Sequence, residues 1–186
     1  ITQYLSAGET ARYDMEFDEY GNLKQLEYPA NYQNERMRYI YEYDPIQHMF
    51  VTQTTDAFGY TSLSTYNYKW GRPTETIDIN GEKIQYQYDP CGRLKVVKGP
   101  YEIASDLPYA LEFNYFVNAE VPYAQTKHYS KNTNSDIETY TFSDGLSRMV
   151  QIKKTCEIFK DSSSIDAKGF IVSGTTIFDA FGREIE

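Results

Sequence analysis

Residues 88–97 read YDPCGRLKVV. Asp89 suits the first position of a type I turn, where its carboxylate accepts a downstream backbone N–H. Pro90 presets φ for the second position. Gly92 can take the left-handed conformation that ends such a turn in a bulge. On the N-terminal side Ile84, Tyr86 and Tyr88 alternate with Gln85 and Gln87, and beyond the turn Leu94 and Val96 continue the apolar set. Apolar–polar alternation on both sides of a turn signal predicts a β-hairpin.

The motif returns along the chain. Asp-x-x-Gly stands at Asp18–Gly21, Asp56–Gly59, Asp78–Gly81, Asp89–Gly92 and Asp179–Gly182. Random placement of the residues would give about 0.7 such pairs. Two further copies are degenerate: Asp44 has Gln47 in the glycine place, and Asp144 has Ser147 there. NYKWGRP, 67–73, has the glycine and arginine but lacks the Asp. An aromatic or β-branched residue precedes most of the aspartates, among them Phe17, Tyr43, Tyr88 and Phe178. Alternation recurs at Met37, Tyr39, Tyr41 and Tyr43, and at Tyr66, Tyr68 and Trp70. No stretch carries a capped helical stripe, with the possible exception of EIASDLPYALEF, which Pro108 interrupts. The expectation is an all-β fold of successive antiparallel β-hairpins over one region, 1–186, with irregular insertions near 99–108, 130–136 and 160–169.

Composition bounds the function. At 186 residues the chain is long enough for a sizeable core. A net charge of −9 argues against a nucleic-acid partner, which needs a basic face. No apolar run approaches a membrane-spanning helix, and the first residues, ITQYLSAGET, have no signal-peptide pattern. The absence of an initial Met suggests a piece of something longer. Cys91 and Cys156 have no metal-ligand spacing and read as free small side chains, with one disulfide as the second reading.

No catalytic or metal site is expected, and no cofactor. His48 falls at a turn and His128 on a strand, with no nucleophile pattern around either. Asp44-Pro45 and Asp89-Pro90 are accounted for by turn chemistry. TIDINGEK offers Asp78, Asn80 and Gly81 but lacks the remaining donors of a calcium loop. The 19 tyrosines open one other possibility. Tyr39, Tyr41, Tyr43, Tyr66, Tyr68, Tyr86 and Tyr88 could stack on carbohydrate rings, although period-2 tyrosines are also what a half-buried sheet face needs.

Aromatic-Asp-x-x-Gly-Arg-Leu at this spacing resembles the YD repeat of Rhs proteins and of the B and C subunits of insecticidal toxin complexes. YEYDPIQHM, YQYDPCGRL and IFDAFGRE are three such units. The run from VPYAQTKHYS to KKTCEI, and the block GFIVSGTTIFDAFGREIE, resemble the segments where SpvB-like and toxin-B-like chains enter their YD shell. The resemblance implies a curved, extended sheet forming a strip of a hollow β-shell. It implies a non-catalytic structural role in a large secreted or cell-surface protein that encapsulates or delivers a C-terminal toxin. Its partners would be neighbouring YD repeats of the same chain and the enclosed toxin polypeptide. The self-cleaving aspartates of the Rhs core are not recognisable here. A surface adhesion module binding carbohydrate or protein through tyrosine-rich faces is the alternative. Self-association through unpaired strand edges is a further expectation.

Overall fold

The computed structural model describes residues 1–4, 10–131, 135–159 and 165–185. The fold is all-β apart from one short helix, as the hairpin pattern predicts. The strands are β1 (Thr2–Tyr4), β2 (Thr10–Arg12), β3 (Asp14–Phe17), β4 (Leu23–Ala30), β5 (Arg36–Tyr43), β6 (Val51–Asp56), β7 (Thr61–Asn67) and β8 (Arg72–Ile77), followed by β9 (Lys83–Tyr88) and β10 (Leu94–Lys98). After α1 (Pro100–Ala104) come β11 (Leu111–Phe116), β12 (Tyr123–Ser130), β13 (Ser135–Ser143), β14 (Met149–Phe159) and β15 (Ile165–Val172). β1 and β2 pair with each other, and β3 to β15 are hydrogen-bonded in chain order as a 13-stranded sheet that does not close. Contacts divide the chain into two compact units, Ile1–Tyr86 and Gln87–Glu186, with the division inside β9.

Every connection in the sheet joins strands adjacent in sequence, so the turns decide the register. Several connections are flanked by a one-residue slip. Glu16 pairs with Gln25 but Phe17 with Leu23, and slips recur at Glu27/Ala30, Glu42/Tyr43, Thr65/Tyr66, Phe142/Ser143 and Ile158/Phe159. Each is a β-bulge, which raises the local twist and re-aims the side chains beside it.

Three expectations need correction. The irregular stretch near 99–108 contains α1, started by Pro100 in the first helical position and by the Glu102 carboxylate, which accepts the Gly99 N–H at 3.1 Å. The insertion near 160–169 is shorter than its composition suggests, because Ile165 to Gly169 already belong to β15. Its remaining residues, 160–164, lie outside the described residues, as do 132–134 of the insertion near 130–136. The sizeable core is also absent. Among the described residues no apolar side chain is buried, and the one fully buried side chain is that of Asp44. Within each unit the sheet forms one layer. Its apolar groups are half-covered by cross-strand neighbours on the same face rather than by an opposing layer.

The faces are chemically distinct. In the first unit Leu26 pairs with Tyr39, Tyr41 with Thr54 and Thr76 with Ile84, which places the aromatic and small residues together. The other face carries Glu42, Gln53, Glu75, Lys83 and Gln85. There Gln85 donates to Glu75 at 2.9 Å and Lys83 pairs with Glu75 at 3.0 Å. In the second unit Phe116, Tyr123 and Phe142 stand opposite one another on neighbouring strands, with ring centroids 4.5 and 5.3 Å apart.

Candidate functional site

The turns share one hydrogen-bond fingerprint. At Asp89 one carboxylate oxygen accepts the N–H groups of Cys91 and Arg93, both at 2.9 Å. The Gly92 N–H donates to the Asp89 carbonyl, and the Asp89 N–H to the Arg93 carbonyl, again both at 2.9 Å. The structure places the same four bonds at Asp18, Asp56, Asp78, Asp144 and Asp179. The residue three after each Asp is left-handed: Gly21, Gly59, Gly81, Gly92 and Gly182 have φ of 84°, 86°, 81°, 78° and 79°, and Ser147 has 61°. Gly92 is also buried, so a side chain there meets both strain and crowding.

Two turns are longer than the sequence suggests. At Asp44 the left-handed residue is His48, φ 53°, and not Gln47. The added length lets both carboxylate oxygens work: Ile46 and Gln47 donate to one, at 3.1 and 2.6 Å, and Met49 and Phe50 to the other, both at 3.0 Å. Burial alone would raise the Asp44 pKa, but these four donors outweigh it and hold the carboxyl far below the ordinary Asp range. At residues 67–71 the missing Asp is replaced by Asn67, whose side-chain oxygen accepts the Lys69 N–H at 3.0 Å while Gly71 (φ 61°) closes the turn. Tyr68 and Trp70 therefore sit in this turn, not on a strand, and the alternation expected from Tyr66 through Trp70 ends at Asn67.

One turn was not visible in the sequence. Asn31 reproduces the fingerprint with amide in place of carboxylate, accepting from Gln33 and Glu35 at 2.9 Å, and Asn34 (φ 62°) replaces the glycine. Conversely Asp166–Gly169 has the spacing but lies within β15.

Alternate turns fall at one end of the strands, here the near end: those at Asp18, Asp44 and Asn67 in the first unit, and those at Asp89 and Asp144, with the 179–183 turn beyond them, in the second. Successive near-end turns touch. The Asn22 amide donates to the His48 carbonyl at 2.6 Å, Tyr20 stacks on His48 at 3.9 Å, and the Tyr43 hydroxyl donates to the Leu23 carbonyl at 3.0 Å. Phe50 stacks on Tyr66 at 5.0 Å and lies against Gly71. In the second unit the Arg93 guanidinium pairs with Asp89 at 2.6 Å and lies 4.3 Å over the Tyr115 ring, whose hydroxyl donates to the Leu94 carbonyl at 2.8 Å. Arg148 pairs with Asp144, lies 4.1 Å over Phe178 and reaches the Gly182 turn. At Asp18, Asp89 and Asp144 the residue four after the Asp, or the one that follows it, meets the aromatic that leads into the next near-end strand tip; at the longer Asp44 turn Phe50, six after, does so.

The tyrosines proposed to stack on a ligand are divided among these roles. Tyr39, Tyr41 and Tyr43 form one row on β5, and Tyr28 stands edge-on to Tyr39 at 6.1 Å. Partial burial, followed by the nearness of Tyr28, Tyr39 and Tyr43, raises the pKa of Tyr41. Tyr66 and Tyr68 flank Phe50. Tyr86 and Tyr88 share a face of β9. His128 lies on β12 and Cys91 is exposed in its turn.

Residues 66–101, which hold the turns at Asn67, Asp78 and Asp89, match the RHS Repeat family. No curated protein matches the chain. Among solved structures, the TcdB2-TccC3 crystal structure aligns over 99% of this chain with a TM-score of 0.74 and 17% identity. A TcdB2-TccC3-Cdc42 crystal structure aligns over 99% with a TM-score of 0.70 and 14% identity. A Photorhabdus luminescens Tc holotoxin pore aligns over 99% with a TM-score of 0.69 and 13% identity. The chain spans 12% to 14% of the length of these structures. Residues 66–101 thus match an RHS repeat, and along nearly all of its length the chain shares the all-β sheet fold of these toxin-complex structures.

Proposed function

We propose that this chain is a non-catalytic strip of wall in a secreted or cell-surface protein that encloses and delivers a toxic polypeptide. The observation that carries this reading is a sheet of one layer whose near-end turns are joined to one another. A globular domain is held by an opposing layer; a wall has to hold its shape within a single layer. Backbone ladders supply the strand-to-strand cohesion, and the joined turns add a second line of contact. Neighbouring repeats would extend the sheet in the same way, since each hairpin adds a rung without needing a new core. Electron cryomicroscopy of the intact protein tests the reading. This sheet lining an enclosed chamber with polypeptide density inside supports it. The same sheet packed against a second layer, with no chamber, ends it.

Carbohydrate or protein adhesion is the second reading. It is favoured by one observation: among the described residues no layer covers the row of Tyr39, Tyr41 and Tyr43. A glycan array probed with the protein, with Tyr41→Ala as control, decides it. Binding lost in the variant supports adhesion, and no binding retires it.

A further inference from the structure

Two Glu–Gln pairs on the polar face of the first unit differ in what surrounds them. At Glu75 both carboxylate oxygens are engaged: Gln85 donates to one at 2.9 Å and Lys83 pairs with the other at 3.0 Å. Glu42 and Gln53, opposite one another on β5 and β6, repeat the pair without the cation. Gln53 donates to one Glu42 oxygen at 3.3 Å and to the Thr55 hydroxyl at 3.4 Å. Glu42 is exposed, and among the described residues it forms no ion pair and its second oxygen accepts no hydrogen bond. The side-chain oxygen of Gln53 accepts none either.

Beside this pair the sheet opens. Glu42 pairs with Gln53 and Tyr43 with Val51, which leaves Thr52 as the bulged residue of β6. On the other side of β6 the ladder stops at Gln53–Leu63, although β7 runs on to Asn67. A bulge bends its strand and re-aims the backbone, so β6 and β7 part where Thr52 stands. The opening is a cavity of about 390 Å³, lined among others by Glu42, Thr52, Gln53, Leu63, Thr65 and Tyr68. Small-molecule sites span roughly 300–1,000 Å³ and combine apolar or aromatic surface with a few placed polar groups.

We propose that this opening binds a sugar that bears no acidic group. The second Glu42 oxygen and the Gln53 amide oxygen are neighbouring free acceptors, which suits two adjacent hydroxyl donors. The Thr52 hydroxyl donates to the Glu42 carbonyl at 3.2 Å and keeps its lone pairs for a further donor. Tyr68 and Leu63 supply apolar surface for the C–H side of a sugar ring. Among the described residues no cation lines the opening, so a carboxylated sugar would set its charge against Glu42. The inference rests on the adhesion reading and deepens it, but it puts the ligand between β6 and β7 and not on the row of Tyr39, Tyr41 and Tyr43.

Nitrogen–proton correlation NMR of the protein, titrated with glucose, galactose, mannose and N-acetylglucosamine and separately with sialic acid, tests it. At least one of the four is expected to move the amide signals of Thr52, Gln53, Ser64 and Thr65 in a saturable way, and sialic acid is expected to leave them in place. Glu42→Gln and Tyr68→Ala are each expected to weaken binding by about tenfold, with the dispersion of the same spectra showing that the variants fold. Four sugars that leave these amides unmoved overturn the proposal. So does sialic acid that binds as well as they do, or binding that survives both substitutions. Shifts centred on Tyr39, Tyr41 and Tyr43 overturn this site while the adhesion reading stands, whereas a glycan array without binding ends both.

Discussion

In the first unit the two ends of the strands are built from the same turn and behave differently. At the near end the turns at Asp18, Asp44 and Asn67 touch in succession, through Asn22, Tyr20, Tyr43 and Phe50. At the far end the turns at Asn31, Asp56 and Asp78 bond within themselves, and Phe58 and Tyr60 of one tip contact each other. The hydrogen-bond fingerprint at Asp18 and at Asp78 is the same, so turn chemistry does not make the difference. The bulges differ in part. Register slips beside all three near-end turns, between Glu16 and Phe17, Glu42 and Tyr43, and Thr65 and Tyr66, and at the far end beside Asn31, between Glu27 and Ala30. Around Asp56 and Asp78 the pairs Thr55–Thr61 and Ile77–Lys83 continue without a slip. A bulge adds twist and turns the adjacent side chains; one accompanies each near-end contact, and the Asn31 turn carries one as well. One end serves as a seam and the other as a row of independent tips.

Substitutions that separate the ends test this contrast. Asp44→Ala is expected to have the largest effect, since it leaves four backbone N–H groups without their buried acceptor. Urea midpoints should fall further than for any other turn variant, and a fall no larger than that of Asp78→Ala would break the comparison. Acid gives the same contrast. The Asp44 pKa is depressed in the folded state, so its contribution is fully present above the ordinary Asp range of about 4 and is lost as pH falls toward the folded value. The stability of wild type is expected to decline from about pH 4 downward, and Asp44→Ala should flatten that decline.

Phe50→Ala comes next. It removes the ring between the second and third near-end turns and is expected to cost about 2 kcal/mol, below the range for a fully buried Phe because the ring is half-covered. A double-mutant cycle of Arg148→Gln and Phe178→Leu then measures one joint of the seam directly, with an expected coupling of about 0.5–1 kcal/mol. Additive single effects would mean that the rings and cations only adjoin. Gly92→Val should cost about 1 kcal/mol or more through its left-handed backbone, whereas Cys91→Ser, at an exposed position of the same turn, should stay within about 0.5 kcal/mol. Asp78→Ala at the far end should produce the smallest shift among the Asp substitutions.

The hairpins were legible because Asp and Gly each do something few residues do, and both occur together at Asp89–Gly92. The ambiguous turns were those where another residue performs the same task. Asn31 and Asn67 accept N–H groups with an amide oxygen, and Asn34, His48 and Ser147 tolerate the left-handed conformation at a cost the loop absorbs. Spacing alone misleads in the other direction at Asp166–Gly169, which continues as strand because it is paired in a ladder: Cys156 stands opposite Gly169. The seam was not readable at all. It depends on which turns share an end and on where a single residue bulges, and both follow from register rather than from composition. The absence of a core was hidden for a related reason, since alternating apolar residues look alike whether their face meets a second layer or only its own neighbours.

Because every ladder among the described residues joins strands consecutive in the chain, no described strand waits for a distant partner. Such topologies have short loops to close, which favours fast folding. A hairpin closes in roughly 1–10 μs, whereas synthesis at about 5–20 residues per second delivers the next twenty residues over one to four seconds. Each rung of this sheet can therefore be complete before the following one leaves the ribosome. Growth would proceed in one direction, with a single advancing edge exposed at any moment and each near-end turn ready to receive the aromatic of the next.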